Sequence, residues 1–109
     1  MSKPTDLVQG TLDLLILKVV VLEPMHGWAI AQRIRQMSSD VLQVGQSALY
    51  PALHKLERQG WIKSEWRTSE TNRRARYYAL TRAGRKAVAE EAANWQRLSA
   101  AISRIVRAV

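Results

Sequence analysis

The chain has 109 residues, of which 47% are hydrophobic and 24% are charged, a composition typical of one ordinary globular domain. It contains no cysteine, which excludes disulfides, thiolate zinc sites and thiol catalysis. The lack of cysteine fits a reducing compartment, and no basic region precedes an apolar signal segment. We therefore expect a cytoplasmic protein.

The net charge of +8 is concentrated in one part of the chain. Residues 46–86 contain ten basic and three acidic side chains, whereas residues 1–45 contain four of each. A concentrated positive field attracts a polyanion and releases its counterions. The charge pattern therefore favours a nucleic-acid partner, although charge alone also allows RNA or an anionic membrane surface.

The first predicted helix runs from residue 7 to about residue 22, and Pro24 ends it. Its apolar run at residues 14–22 contains Lys18 and is too short to cross a bilayer, so we expect a buried helix and no membrane association. The helix is apolar nearly all round, whereas the surface helix of a monomer has a polar face. We therefore expect a second chain to cover part of it.

A helix-turn-helix is predicted next. A turn at residues 24–27 leads into a second helix from about Trp28 to Met37, and a short extended piece at residues 41–44 follows. The third helix is expected to start near Ser47 as its N-cap, with Pro51 in or near its first turn and Gly60 as its C′ residue. The apolar stripe expected to face the core is Leu49, Ala52, Leu53 and Leu56.

Two strands, at about residues 61–67 and 74–80, are predicted to form a hairpin around a turn at residues 68–73. A helix-turn-helix followed by an arginine-rich hairpin is the order of parts in a winged helix. The N-terminal side chains of a recognition helix meet base edges in the major groove, and wing arginines lie along the backbone or the minor groove. The residues predicted to contact double-stranded DNA on these grounds are Gln46, Ser47, Tyr50, His54, Lys55, Arg73, Arg74 and Arg76.

The last helix is predicted to begin after Thr81, its N-cap, and to end near residue 107. Its apolar residues recur every three or four positions, a nearly heptad spacing typical of a helix that pairs with another helix. The alternative is a stripe packed on its own domain. Together with the first helix, this seam favours a homodimer whose predicted interface is Leu15, Val88, Ala92, Trp95, Leu98, Ile102 and Ile105, with Val109 at the end of the seam.

An enzyme is not expected. The two histidines, His26 and His54, are assigned to a turn and to an exposed helix face, and we find no Ser/His/Asp arrangement, phosphate-binding Gly loop or metal-ligand spacing. No cofactor or metal is therefore predicted. An RNA-binding or nonspecific architectural winged helix remains an alternative that needs no fixed spacing between two recognition helices. A protein–protein adaptor would make poor use of the basic segment.

Two blocks of the sequence resemble the PadR family of bacterial transcriptional regulators. The first block is Leu49-Tyr50-Pro51, Leu53, Leu56-Glu57 and Gly60-Trp61-Ile62. The second block is Arg73-Arg74, Arg76-Tyr77-Tyr78-Ala79-Leu80-Thr81 and Gly84. The turn Pro24-Met25-His26-Gly27-Trp28 is also similar to the Pro-x-x-Gly-aromatic turn of that family.

The resemblance implies a mostly α fold with a small β-hairpin, divided into a winged helix-turn-helix domain at residues 1–81 and a C-terminal dimerisation helix at residues 82–109. It also implies a homodimeric repressor on a pseudo-palindromic operator. By this resemblance Ser47, Tyr50 and Pro51 are placed at the DNA, and the wing cluster at residues 73–76 lies along the backbone.

The single C-terminal helix is similar to that of the short subfamily. In some short members an aromatic residue on this helix lines a pocket between protomers that takes flat hydrophobic compounds. Trp95 is in a similar place, which makes it the candidate residue for binding a small planar hydrophobic effector. The alternative is that Trp95 is a large anchor in the dimer core.

Overall fold

The computed structural model describes residues 9–108. These residues form four helices and a three-stranded antiparallel sheet. The predicted helix start at residues 7 and 8 and the seam residue Val109 lie outside the described residues. The mostly α winged-helix fold predicted from the sequence is confirmed. The elements are α1 (Gln9–Leu22), β1 (Met25–His26), α2 (Gly27–Met37), α3 (Gln46–Arg58), β2 (Ile62–Thr68), β3 (Arg74–Leu80) and α4 (Arg82–Ala108).

Helix α1 lies at the centre of the domain and contacts α2, α3, α4 and β3. Ile16 and Leu17 are fully buried, and Leu15 and Val21 pack against the same core while half-buried. The apolar side chains of α1 are therefore covered largely by the other elements of the same domain.

Among residues 9–108, no helix combines the length and the hydropathy that a membrane span requires.

Helix α3 begins two residues earlier than its expected first helical residue. Gly45 is the N-cap, and its carbonyl accepts hydrogen bonds from the backbone N–H groups of Ala48 (3.2 Å) and Leu49 (3.0 Å). The prediction that Ser47 is the N-cap was therefore wrong. Pro51 becomes the sixth helical residue instead of lying in the first turn, so the helix lacks the backbone bond that would have reached the carbonyl of Ser47.

The C-terminal end of α3 and its buried stripe match the prediction. Gly60 has a φ of +80°, a left-handed conformation that glycine adopts without steric penalty. The N–H groups of Gly60 and Trp61 donate to the carbonyls of Glu57 and Leu56, the pattern of a Schellman cap. Leu49, Ala52, Leu53 and Leu56 are all buried.

The sheet has the strand order β1-β3-β2. Strands β2 and β3 pair from Ile62 with Leu80 to Thr68 with Arg74, within one residue of the predicted bounds. Strand β1 was not predicted, because its two residues lie where the sequence indicates only a turn. Met25 and His26 pair with Tyr78 and Tyr77 and so attach the start of α2 to the wing. The predicted extended piece at residues 41–44 is a loop.

Helix α4 begins as predicted and then leaves the domain. The Thr81 hydroxyl accepts a hydrogen bond from the Gly84 N–H (3.0 Å) and donates one to the Gly60 carbonyl (2.6 Å). Ala87 and Val88 are buried and Ala92 is half-buried, whereas most of the described residues beyond Ala92 are exposed. The helix has 27 residues, which corresponds to about 40 Å.

Candidate nucleic-acid interface

The outer face of α3 is opposite its buried stripe and is open to solvent. Gln46, Ser47, Tyr50, Pro51 and His54 are all exposed there. No acidic residue occurs in the first turn of the helix. The N–H groups and the positive dipole end of α3 therefore add to a surface that can accept an anion.

Tyr50 packs against the first residue of α2. A Cβ atom built on Gly27 would lie 2.8 Å from the Tyr50 hydroxyl oxygen and 2.9 Å from its Cε1. Helix α2 is capped there by His26, whose Nδ1 accepts a hydrogen bond from the Ala29 N–H (3.2 Å). Gly27 thus allows the phenol ring to lie against the N-terminus of the neighbouring helix.

Lys55 differs from the other helix residues predicted to contact DNA. Its Nζ donates a hydrogen bond to Oδ2 of Asp13 on α1, and the side chains are 29% and 14% exposed. This ion pair joins α3 to the central helix. Lys55 therefore lies between the solvent-exposed face and the core, with one carboxylate already beside it.

Two arginines of the wing, Arg74 and Arg76, share one of its faces. Paired residues of β2 and β3 share a face, and so do residues two apart along a strand. The face that buries Ile62, Tyr78 and Leu80 at its base therefore continues outward into Ser64, Trp66, Arg74 and Arg76. The Cζ atoms of Arg74 and Arg76 lie 5.3 Å and 5.9 Å from the centroid of the Trp66 ring.

Hydrogen bonds join this wing face to α3. Ser64 Oγ donates to Glu57 Oε2 at 2.7 Å, and Arg76 Nε donates to Ser64 Oγ at 3.0 Å. A second guanidinium nitrogen of Arg76 lies 3.9 Å from the same Glu57 oxygen. These contacts connect the base of the wing to α3.

A cleft of about 1070 Å³ lies between α2, the outer face of α3 and the wing. Five of the residues predicted to contact DNA line it together: Tyr50, His54, Arg73, Arg74 and Arg76. Gln46, Ser47, Pro51 and Lys55 are not among its lining residues.

Burial raises the pKa of the Tyr78 hydroxyl in the cleft wall, although the charge of Arg76 opposes this, so Tyr78 is neutral at physiological pH.

Two tryptophans of the cleft were missed by the sequence reasoning. Trp28 is 65% exposed at the start of α2, and Trp66 is 57% exposed on the wing. The strand register would have revealed Trp66, because it places Trp66 directly opposite Arg76. The sequence predicts the hairpin without this register, and it places Trp28 at the start of the second helix and in the Pro-x-x-Gly-aromatic turn without a role in the interface.

The predicted seam on α4 is open to solvent over most of its described length. Trp95 is 46% exposed, and Leu98, Ile102 and Ile105 are between 51% and 67% exposed. Val88 is buried within its own domain, and Ala92 packs against the same core while half-buried. The exposed part of the seam therefore begins at Trp95.

The fold and the basic cleft define a winged helix-turn-helix DNA-binding protein. The sequence model of the transcriptional regulator PadR-like family matches residues 16–90, and the chain belongs to this family. The match includes α2, α3 and the wing, together with the first part of α4. The protein is accordingly a PadR-family transcriptional regulator.

Solved structures of similar proteins have the same fold. A transcriptional regulator from Clostridium thermocellum superposes with a TM-score of 0.84 at 28% identity, covering 96% of this chain and 99% of that one. A PadR family transcriptional regulator from Eggerthella lenta has a TM-score of 0.73 at 28% identity, with coverages of 90% and 83%. An uncharacterised protein from Lysinibacillus sphaericus is 24% identical over 91 residues, which are 84% of each chain.

Proposed function

We propose that this regulator is a homodimeric repressor that binds a pseudo-palindromic operator in double-stranded DNA. The observation that carries the proposal is the cleft, because Tyr50 and His54 of α3 and the wing arginines line the same concave surface. A duplex that places its major groove on α3 brings an adjacent backbone to the wing. Helix α4 leaves this surface free and offers its apolar seam to a second copy.

The outer face of α3 is proposed to read the operator. Gln46 and Ser47, in the first turn, can donate to or accept from base edges or phosphates, and His54 can do the same farther along the helix. Tyr50 offers a hydroxyl on a rigid ring, and Pro51 beside it gives an apolar contact. Lys55 lies at the edge of this face, where its ion pair with Asp13 offsets its charge.

The wing is proposed to hold the DNA backbone. Arg73, Arg74 and Arg76 are exposed around the distal end of the hairpin. Guanidinium groups pair well with phosphates and enter narrow minor grooves, and contacts of this kind fix the register of a protein on the duplex. The wing therefore contributes affinity for any sequence, and α3 contributes the preference for one.

The exposed seam on α4 is proposed as the core of the dimer. Trp95, Leu98, Ile102 and Ile105 form a contiguous apolar face, which in a soluble protein usually marks an interface. The near-heptad spacing suits another helix, and a second copy of this chain supplies one with the same pattern. In this arrangement residues 1–81 bind DNA and residues 82–109 dimerise, with Ala92 and Leu15 near the edge of the contact. Val88 supports α4 from within its own domain.

Trp95 is proposed to bind a small planar hydrophobic effector at this interface. Its ring is half-exposed in the single chain and would be enclosed by two copies of α4. The test uses a variant whose other three tryptophans are replaced by phenylalanine. Saturable quenching of its fluorescence by planar aromatic compounds supports an effector site. No saturable quenching across such a panel would leave Trp95 as an anchor of the dimer core.

Selection from a random duplex library at two salt concentrations tests the proposed function. The expected result is an enriched inverted repeat with half-sites about 10 base pairs apart, bound more tightly at low salt. Salt-sensitive binding without an enriched motif would contradict the proposal and favour the nonspecific architectural or RNA-binding alternative. A single-stranded RNA library selected in parallel separates these two alternatives.

The sign of regulation needs a separate test. The selected site is placed across a promoter that drives a reporter, and the regulator is supplied from an inducible copy. A repressor lowers reporter output in proportion to its own expression, because the bound dimer occludes the promoter. Increased output would identify an activator instead.

A further inference from the structure

Trp66 occupies an unusual position for a large aromatic residue. It is 57% exposed, lies directly opposite Arg76 in the hairpin, and has Arg74 on the same face two residue pairs nearer the tip. Both guanidinium carbons lie within 6 Å of the ring centroid, at 5.3 Å and 5.9 Å. At such distances the electron-rich face of an indole attracts a cation.

Arg76 is also connected to the recognition helix α3 through hydrogen bonds. Arg76 donates to Ser64 Oγ at 3.0 Å, and Ser64 donates to Glu57 Oε2 of α3 at 2.7 Å. Arg76 is thus held by the Trp66 ring and by α3 at once. Arg74 has the ring contact alone among the interactions found within the described residues.

This arrangement affects binding through conformational entropy. A free arginine has many rotamers, and fixing it against a phosphate costs free energy that weakens the complex. A side chain already confined to one region of space loses less freedom when it binds. The ring contact uses no N–H group of either guanidinium, so those N–H groups that donate to no protein group stay available to a phosphate.

We propose that Trp66 is a positioning residue of the DNA interface, which holds Arg74 and Arg76 in the cleft before DNA arrives. The inference rests on the proposed function and deepens it. Trp66 acts through the two arginines and through the link from Ser64 to Glu57. The spacing between the wing cations and the outer face of α3 is therefore set in the free protein.

The first experiment examines the free protein, so its result does not depend on DNA binding. Protons above an aromatic face resonate upfield, and NMR of arginine Nε–H groups resolves individual side chains. We expect upfield Nε–H shifts for Arg74 and Arg76 that disappear in Trp66→Leu and remain in Trp66→Phe. Trp28→Leu is the matched control, since it removes another exposed indole of the cleft and should leave both shifts unchanged.

The second experiment measures affinity for the selected duplex as a function of salt. Trp66→Leu keeps every charge, so we expect binding about 3- to 10-fold weaker with an unchanged salt slope. Trp66→Phe should restore most of the affinity. Ser64→Ala also keeps every charge and should weaken binding by releasing Arg76 from α3. Thermal unfolding of each variant confirms that the fold is intact.

The outcomes separate this inference from the proposed function. If wild-type protein binds the duplex and Trp66→Leu binds equally well, the positioning role is overturned and the regulator remains. Loss of affinity in Trp66→Leu without rescue by Trp66→Phe, or with unchanged Nε–H shifts, also overturns it. If wild-type protein binds no duplex, the proposed function fails and this inference fails with it.

Discussion

Gly27 and Tyr50 form a contact on which the proposed reading of DNA depends. A Cβ atom built on Gly27 would lie between 2.8 and 3.0 Å from the hydroxyl oxygen, Cε1 and Cζ of Tyr50. Gly27 itself is buried at the start of α2. The three atoms nearest to such a Cβ all belong to the end of the Tyr50 side chain, which can move, so we expect a side chain there to displace the ring without opening the core.

The variant Gly27→Ala is therefore expected to impair DNA recognition more than folding. We predict that binding to the selected duplex weakens by about 10-fold, because Tyr50 leaves its position. The free energy of unfolding should change by less than about 1 kcal/mol. Fluorescence anisotropy and urea unfolding measure the two effects. In a Tyr50→Ala background the Gly27→Ala change should have no further effect on binding, and a full additional loss would refute the contact.

Arg74 belongs to the wing and is expected to contact a phosphate. Replacement by alanine should weaken binding to all duplexes similarly and reduce the slope of log affinity against log salt by about 0.9. Ser47→Ala should instead lower the ratio of specific to nonspecific binding and keep the slope. Titrations at several salt concentrations distinguish the two. An Arg74→Ala protein with full affinity and slope would mean that the wing contact is wrong.

For single residues, the sequence predicted exposure correctly where it depends on spacing along one helix. The exposed positions of Tyr50 and His54 follow from helical periodicity alone. The ion pair of Lys55 with Asp13 joins residues 42 positions apart, and only the packing of α3 on α1 brings them together. The cation–π contacts of Trp66 likewise depend on the register of β2 with β3, which the alternation of apolar and polar residues did not determine.

The first turn of α4 packs closely against the backbone of Trp61. A Cβ on Gly84 would overlap the carbonyl oxygen of Trp61 and lie 2.9 Å from Leu80 Cδ2. The Thr81 N–H donates to the same Trp61 carbonyl at 3.1 Å. The start of α4 therefore packs directly on the backbone that leads into β2.

The variant Gly84→Ala tests this packing against helix propensity. Alanine favours a helix interior by about 1 kcal/mol over glycine, which alone would stabilise the protein. We predict the opposite result, a loss of about 2 kcal/mol or more, because a backbone carbonyl cannot move aside as a side chain can. Gly45→Ala, at the N-cap of α3, controls for an added methyl group in open space but not for helix propensity, since its nearest neighbour would be Ser47 Oγ at 4.0 Å. Equal or greater stability of Gly84→Ala in urea unfolding would contradict the packing.

The helices and the hairpin could be predicted because each has its own local pattern. Helical periodicity, Gly60 and Thr81 gave the ends of α3 and α4 to within two residues. Strand β1 has only two residues and is defined by its pairing with Tyr77 and Tyr78, which no local pattern indicates. The start of α3 was misplaced because Ser47 is a favourable cap residue and Gly45 caps through its backbone alone.

Helix α4 extends far beyond the domain that carries it. About half of the helix presents apolar side chains to water in the single chain. In the proposed dimer, α4 fixes the distance and orientation of the two recognition helices. Residues distant from the cleft should therefore control DNA binding as strongly as residues within it.

Replacing Ile102 by glutamate places a charge in the middle of the proposed seam. We predict a monomer by sedimentation equilibrium and binding to the selected duplex that is weaker by about 100-fold or more, because the two half-sites are no longer bound together. Ala100→Glu, which adds the same charge nearly opposite on the helix, should remain a dimer. A dimeric Ile102→Glu protein would exclude this seam as the interface.

Changing the spacing of the two half-sites tests most directly whether a dimer of this regulator reads an inverted repeat. Wild-type affinity is measured for the selected duplex and for one with about 5 extra base pairs between its half-sites, which rotates one half-site by about half a helical turn. The insertion is expected to reduce affinity to that of a duplex with a single half-site. Equal affinity for the two spacings would contradict a rigid dimer that reads an inverted repeat.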